Sequence, residues 1–90
     1  VNSVRSALVS AALRRTLELD IGYYRAIARR LEEQVQLWRD LAAEPGISEQ
    51  LRTGRLQYAD YDQERAAIHR QRQRALEREL AELDAREAQA

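Results

Sequence analysis

The sequence predicts an all-α fold: a long antiparallel two-helix hairpin, coiled-coil-like, with one short helical turn at its connection, closing into a dimeric helical bundle. Three observations predict it. Leu17, Ile21, Tyr24, Ala28, Leu31, Val35, Trp38 and Ala42 follow one another at steps of 4, 3, 4, 3, 4, 3 and 4, which holds all of them on one helical stripe. The only Pro, Pro45, is followed at once by Gly46, a stop signal in the middle of the chain. A second stripe then returns with apolar residues at levels that match the first.

The first helix is expected over 3–44, a rod of about 60 Å at roughly 1.5 Å per residue, with Asn2 or Ser3 as its cap. Gly22 lies off the stripe, where it costs about 1 kcal/mol relative to Ala without shifting the register. The connection is expected over 45–55. Within it Ser48 can cap a single turn, Glu49 to Arg52, with Glu49 well placed in the first turn and Gly54 suited to end it in the left-handed region.

The last helix is expected over 56–88, completing a single helical-hairpin domain over 1–90. Its stripe reads Tyr58, Tyr61, Arg65, Ile68, Arg72, Leu76, Leu80, Leu83 and Glu87, with an extra step of four around Arg72 that would act as a stutter. Folded back antiparallel, the helices oppose residues whose numbers sum to 99 or 100. That register sets Trp38 against Tyr61, Leu31 against Ile68, Tyr24 against Leu76 and Leu17 against Leu83.

Composition narrows the function classes. Fifteen acids balance fifteen bases, every base an Arg, which disfavours both a strongly basic nucleic-acid binder and an acidic disordered tail. The absence of Cys excludes a disulfide framework and thiol chemistry within this sequence. No run of about twenty apolar residues is present to span a bilayer. The chain starts at Val1 rather than Met. Residues Val1 to Leu13, apolar or small except Asn2 and Arg5, read as a helix end buried in an oligomer rather than the tail of a targeting segment.

Candidate chemistry is sparse. His69, the only histidine, has Gln73 four residues on, so a metal site would need carboxylates brought from elsewhere. Gly22, Gly46 and Gly54 are isolated, which leaves no phosphate-cradling loop, and no catalytic or cofactor-binding set emerges. Glu32–Glu33 and Asp60–Asp62 read as surface carboxylates. The arginine-rich run Arg65, Arg70, Arg72, Arg74 and Arg78 has no interleaved aromatics and faces Glu64, Glu77, Glu79 and Glu82; Arg78–Glu82 and Glu82–Arg86 are spaced to pair along the helix.

Arg65 and Arg72 fall within the expected buried stripe, where long stems can line a seam while their charged heads reach water. Trp38, Tyr58 and Tyr61 should converge at the turn end, capping the bundle or anchoring a partner. The candidate partner-binding residues are therefore Arg65, His69, Arg72, Trp38, Tyr58 and Tyr61. Ile27, Leu37 and Leu41 beside the first stripe, with Leu8, Val9 and Leu13 beyond it, exceed what one hairpin can bury. A second hairpin, giving a homodimer, or another protein partner would cover them.

The run Leu51, Gly54, Leu56, Tyr61 ahead of a charged helix resembles the helix–glycine–helix units of the coiled-coil insertions of large serine recombinases and of oligomerisation modules at bacterial protein ends. In architecture the hairpin resembles stalk proteins of flagellar and type III secretion export gates. The long–short–long arrangement is similar to the all-helical chorismate mutases, a resemblance that implies a site built from arginines and a lysine. This chain has no Lys. The reading that results is a non-enzymatic, self-associating scaffold, stalk or docking element, with an arginine-face nucleic-acid module and a small mutase-like enzyme as its alternatives.

Overall fold

The computed structural model describes residues 2–89. It is an all-α hairpin, with α1 over Asn2–Ala42 and α2 over Glu49–Gln89, packed against each other along their length. The hairpin measures 71 × 16 × 13 Å, so every residue lies close to solvent and the core is a single seam.

α1 runs as its periodicity demands. Leu17, Ile21, Ala28, Leu31, Val35 and Ala42 are buried, and Tyr24 and Trp38 on the same stripe are half-buried. Its first turn already includes Asn2 and Ser3, so neither is the cap; the residue before them lies outside the described residues. The helix ends at Ala42, two residues ahead of expectation, because Pro45 biases Glu44 away from helical geometry. The last turn tightens, with the Ala43 amide donating to Arg39 O at 3.1 Å and Asp40 O at 3.2 Å. Gly46, at φ +80°, makes the turn in the left-handed region that favours Gly.

Ser48 caps α2 as its position predicts. Its Oγ accepts from the Leu51 amide at 3.1 Å, and its carbonyl accepts from the Arg52 amide at 3.0 Å. The expected separate turn ending at Gly54 does not exist; α2 is continuous from Glu49. Arg52 and Arg55 account for this. Arg52 Nε donates to Ala42 O at 3.1 Å and Arg55 to Leu41 O at 2.6 Å, so two cations in the first turns of α2 satisfy the last carbonyls of α1. Those bonds need the helix to persist through Gly54 and offset its conformational cost.

The antiparallel register is close to the expected one. Leu17 and Leu83 are both buried, Trp38 meets Asp62, Glu32 meets Arg70 and Arg14 meets Asp84, pairs whose numbers sum to between 98 and 102. The α2 stripe is different, however. The inward stripe is Ala59, Asp62, Ala66, His69, Gln73, Leu76, Leu80 and Leu83, all buried or half-buried and in an unbroken alternation of steps of three and four without any stutter. Tyr58, Tyr61, Arg65, Ile68 and Arg72 lie one position round the helix and are exposed. Leu31 and Val35 fill the seam from the α1 side, so small side chains such as Ala66 fit opposite them and bulky Ile68 is turned outward.

Candidate functional site

Across the seam the hairpin has two unlike flanks. One is polar and laced by cross-helix contacts. Arg70 grips Glu32 with two bonds, at 2.6 and 3.2 Å, Arg39 donates to Gln63 at 2.6 Å, and Arg25 approaches Glu77 at 3.9 Å. At the terminal end Arg14 pairs with both Asp84 and Glu87. The hydrogen bonds from Arg70 hold the Glu32 carboxyl below the usual carboxylate range, and the Arg70 guanidinium is raised in turn. Arg14 is raised likewise, by Asp84 first and Glu87 second. The expected pairs Arg78–Glu82 and Glu82–Arg86 are not among the ion pairs of the described residues.

The other flank is apolar and uncovered. Antiparallel pairing brings a second stripe of each helix to this side. From α1 come Leu13 (42% exposed), Tyr23 (60%) and Leu37 (57%), with Ile27 and Leu41 half-buried beside them. Leu51, Tyr58, Tyr61 and Ile68 come from α2, and all are exposed. Past the end of α2, the first turns of α1 overhang with Val4, Leu8 and Val9 bare. On the ion-paired side of the same end, a groove of about 570 Å³ lined by Arg14 and Glu87 marks where the seam of α1 runs on through Ala7 and Ser10.

The six residues singled out from sequence all lie along or under this flank. Trp38 is half-buried in the seam; its indole stacks at 4.9 Å from the Tyr58 ring and donates to Asp62 Oδ2 at 3.2 Å. Tyr61 does not meet Trp38. It stands outside at 61% exposure, with the Arg65 guanidinium 5.6 Å over its ring. Arg72 covers Tyr24 on the outer side, 5.7 Å from the ring centroid and 3.1 Å from its hydroxyl, which accepts the bond. His69 stacks on Tyr24 at 5.8 Å within the seam, and its Nδ1 is buried with no partner among the described residues. Arg65 and Arg72 are thus flank residues rather than seam residues.

Asp62 was the residue sequence reasoning misplaced. It reads as surface beside Asp60, yet it is 7% exposed, held by the Trp38 indole and by Arg65 at 3.6 Å. The signal was present in the unbroken 59–62–66–69–73–76–80–83 spacing, which the bulkier neighbouring residues obscured.

Depressions on the hairpin are open grooves between side chains. One, about 290 Å³, is lined by Asp20, Tyr24, Arg72, Ala75 and Leu76. No three His, Asp or Glu converge as metal ligands among the described residues, and no described helix is long and apolar enough to cross a membrane. No protein-family model, no curated protein and no solved structure matches this chain.

Proposed function

We propose that the chain is a non-enzymatic protein-interaction module: a self-associating helical hairpin that serves as scaffold, stalk or docking element of a larger assembly. The observation that carries this reading is the inequality of the two flanks. One flank spends its polar groups on cross-helix ion pairs, while the other leaves Leu13, Leu37, Tyr61 and Ile68 facing water. Covering each of these is worth on the order of 1 kcal/mol, and a hairpin with one seam has nothing of its own to cover them with.

Sedimentation velocity over a concentration series tests the reading. The expected result is a species of twice 10.4 kDa at micromolar concentration. Leu37→Glu, at a site that bears no part of the seam, should return the chain to monomer with unchanged helicity. A parent chain that sediments as a monomer at every concentration overturns the reading.

A further inference from the structure

The apolar flank of α1 is a second heptad stripe: Val9, Leu13, Thr16, Asp20, Tyr23, Ile27, Arg30, Gln34, Leu37 and Leu41, again at alternating steps of four and three. Each member sits one residue before a seam position, so the stripe lies about 100° around α1 from the buried seam, close to the quarter turn between the two neighbours of a helix in a four-helix bundle. The stripe is also a chemical palindrome. Residues whose numbers sum to 50 match in kind: Val9 with Leu41, Leu13 with Leu37, Thr16 with Gln34, Asp20 with Arg30, and Tyr23 with Ile27.

We infer that the occupant of this flank is a second copy of the chain, packed α1 on α1 and antiparallel about a two-fold axis midway between Tyr23 and Ile27, with Asp20 of each copy against Arg30 of the other. This rests on the self-association proposed above and adds its geometry.

Charge complementarity selects this arrangement over the other symmetric one. Next to the axis, Arg30 and Arg72 form a positive band on its turn side, and Asp20 and Glu79 form a negative band on its terminal side. Antiparallel stacking lays one band over the other in both copies. Joining the hairpins with their turn ends together would instead set Arg30 at the level of the partner's Arg72 and Asp20 at the level of the partner's Glu79, like against like. Apolar groups agree. Leu37 and Leu41 near the turn fall over Leu13 and Val9 near the terminus, so the turn end of one copy covers Leu13 and, on the overhang, Val9 of the other. Among the described residues neither Asp20 nor Arg30 has a partner in an ion pair or side-chain hydrogen bond, and both are exposed. Each is free to serve the interface.

Charge reversal tests the geometry. D20R and R30D should each weaken self-association by on the order of tenfold, because every dimer would hold two like-charge contacts. An equimolar mixture of D20R and R30D should recover a heterodimer, and the double variant should dimerise like the parent. As a second readout, the absence of native Cys permits an added pair: L13C/L37C should oxidise to a covalent dimer, whereas L13C alone should not, its two copies lying about 36 Å apart along the axis at 1.5 Å per residue. If both single reversals tighten association and L13C/L37C yields no covalent dimer, the turn ends lie together and the antiparallel geometry is overturned while self-association stands. A monomeric parent overturns both.

Discussion

The two flanks of the hairpin are built from the same helices in the same register and solve different problems. On the ion-paired flank, Arg70, Arg39 and Arg25 reach across to Glu32, Gln63 and Glu77, and these contacts orient α2 on α1 without burying much. Such exposed pairs specify register more than they stabilise, since each is worth well under 1 kcal/mol. On the apolar flank the cross-helix contacts are aromatic and cation–π, Trp38 on Tyr58 and Arg72 over Tyr24, and the outermost groups have no cover. The difference teaches that this hairpin's own stability resides in the seam. The flanks divide what remains into alignment on one side and, in the proposed function, association on the other.

That division can be broken by substitution. The largest effect belongs to the seam that both flanks share: Leu31→Ala, at a residue 5% exposed, should lower stability by about 2–4 kcal/mol in a denaturant titration. Next comes the inner edge of the apolar flank. Trp38→Phe removes the indole donor to Asp62 and leaves a buried carboxylate with only Arg65 nearby, which should cost about 1–2 kcal/mol. A loss as large from the ion-paired flank would contradict the comparison. Arg70→Ala should cost less than about 1 kcal/mol, and the loss should shrink as salt is raised.

Smallest is a pH effect confined to that same flank. Because Arg70 lowers the Glu32 pKa in the folded chain, the contribution is complete above the ordinary value of 4.5 and disappears as pH falls through the lowered one. Solvent exposure of the pair keeps it shallow, since the Glu32 side chain is 48% exposed. Thermal melts from pH 6 downward should show the slope, and Glu32→Gln should flatten it.

Legibility from sequence followed side-chain size. On α1 the seam is carried by Leu17, Ile21, Leu31 and Val35, and spacing alone identified it. Pro45, Gly46 and Ser48 placed the reversal because each acts through its own backbone chemistry. On α2 between residues 58 and 73, side-chain bulk misleads where spacing does not. The larger residues there, Tyr58, Tyr61 and Ile68, occupy the exposed flank, whereas the seam holds Ala59, Asp62, Ala66, His69 and Gln73. Hydropathy cannot rank a buried Asp above an exposed Ile. The continuity of α2 through Gly54 was equally hidden, since it depends on Arg52 and Arg55 finding the end of α1.

What the amino-acid order determined by itself is the pair of helices, the reversal near Pro45 and the antiparallel register, all of which follow from periodicity and local backbone preference. Which face of α2 lies inside was decided only when α1 came to rest against it. Leu31, Val35 and Trp38 already occupied the space between the helices, so small and hydrogen-bonding groups had to face them and the tyrosines were left outside.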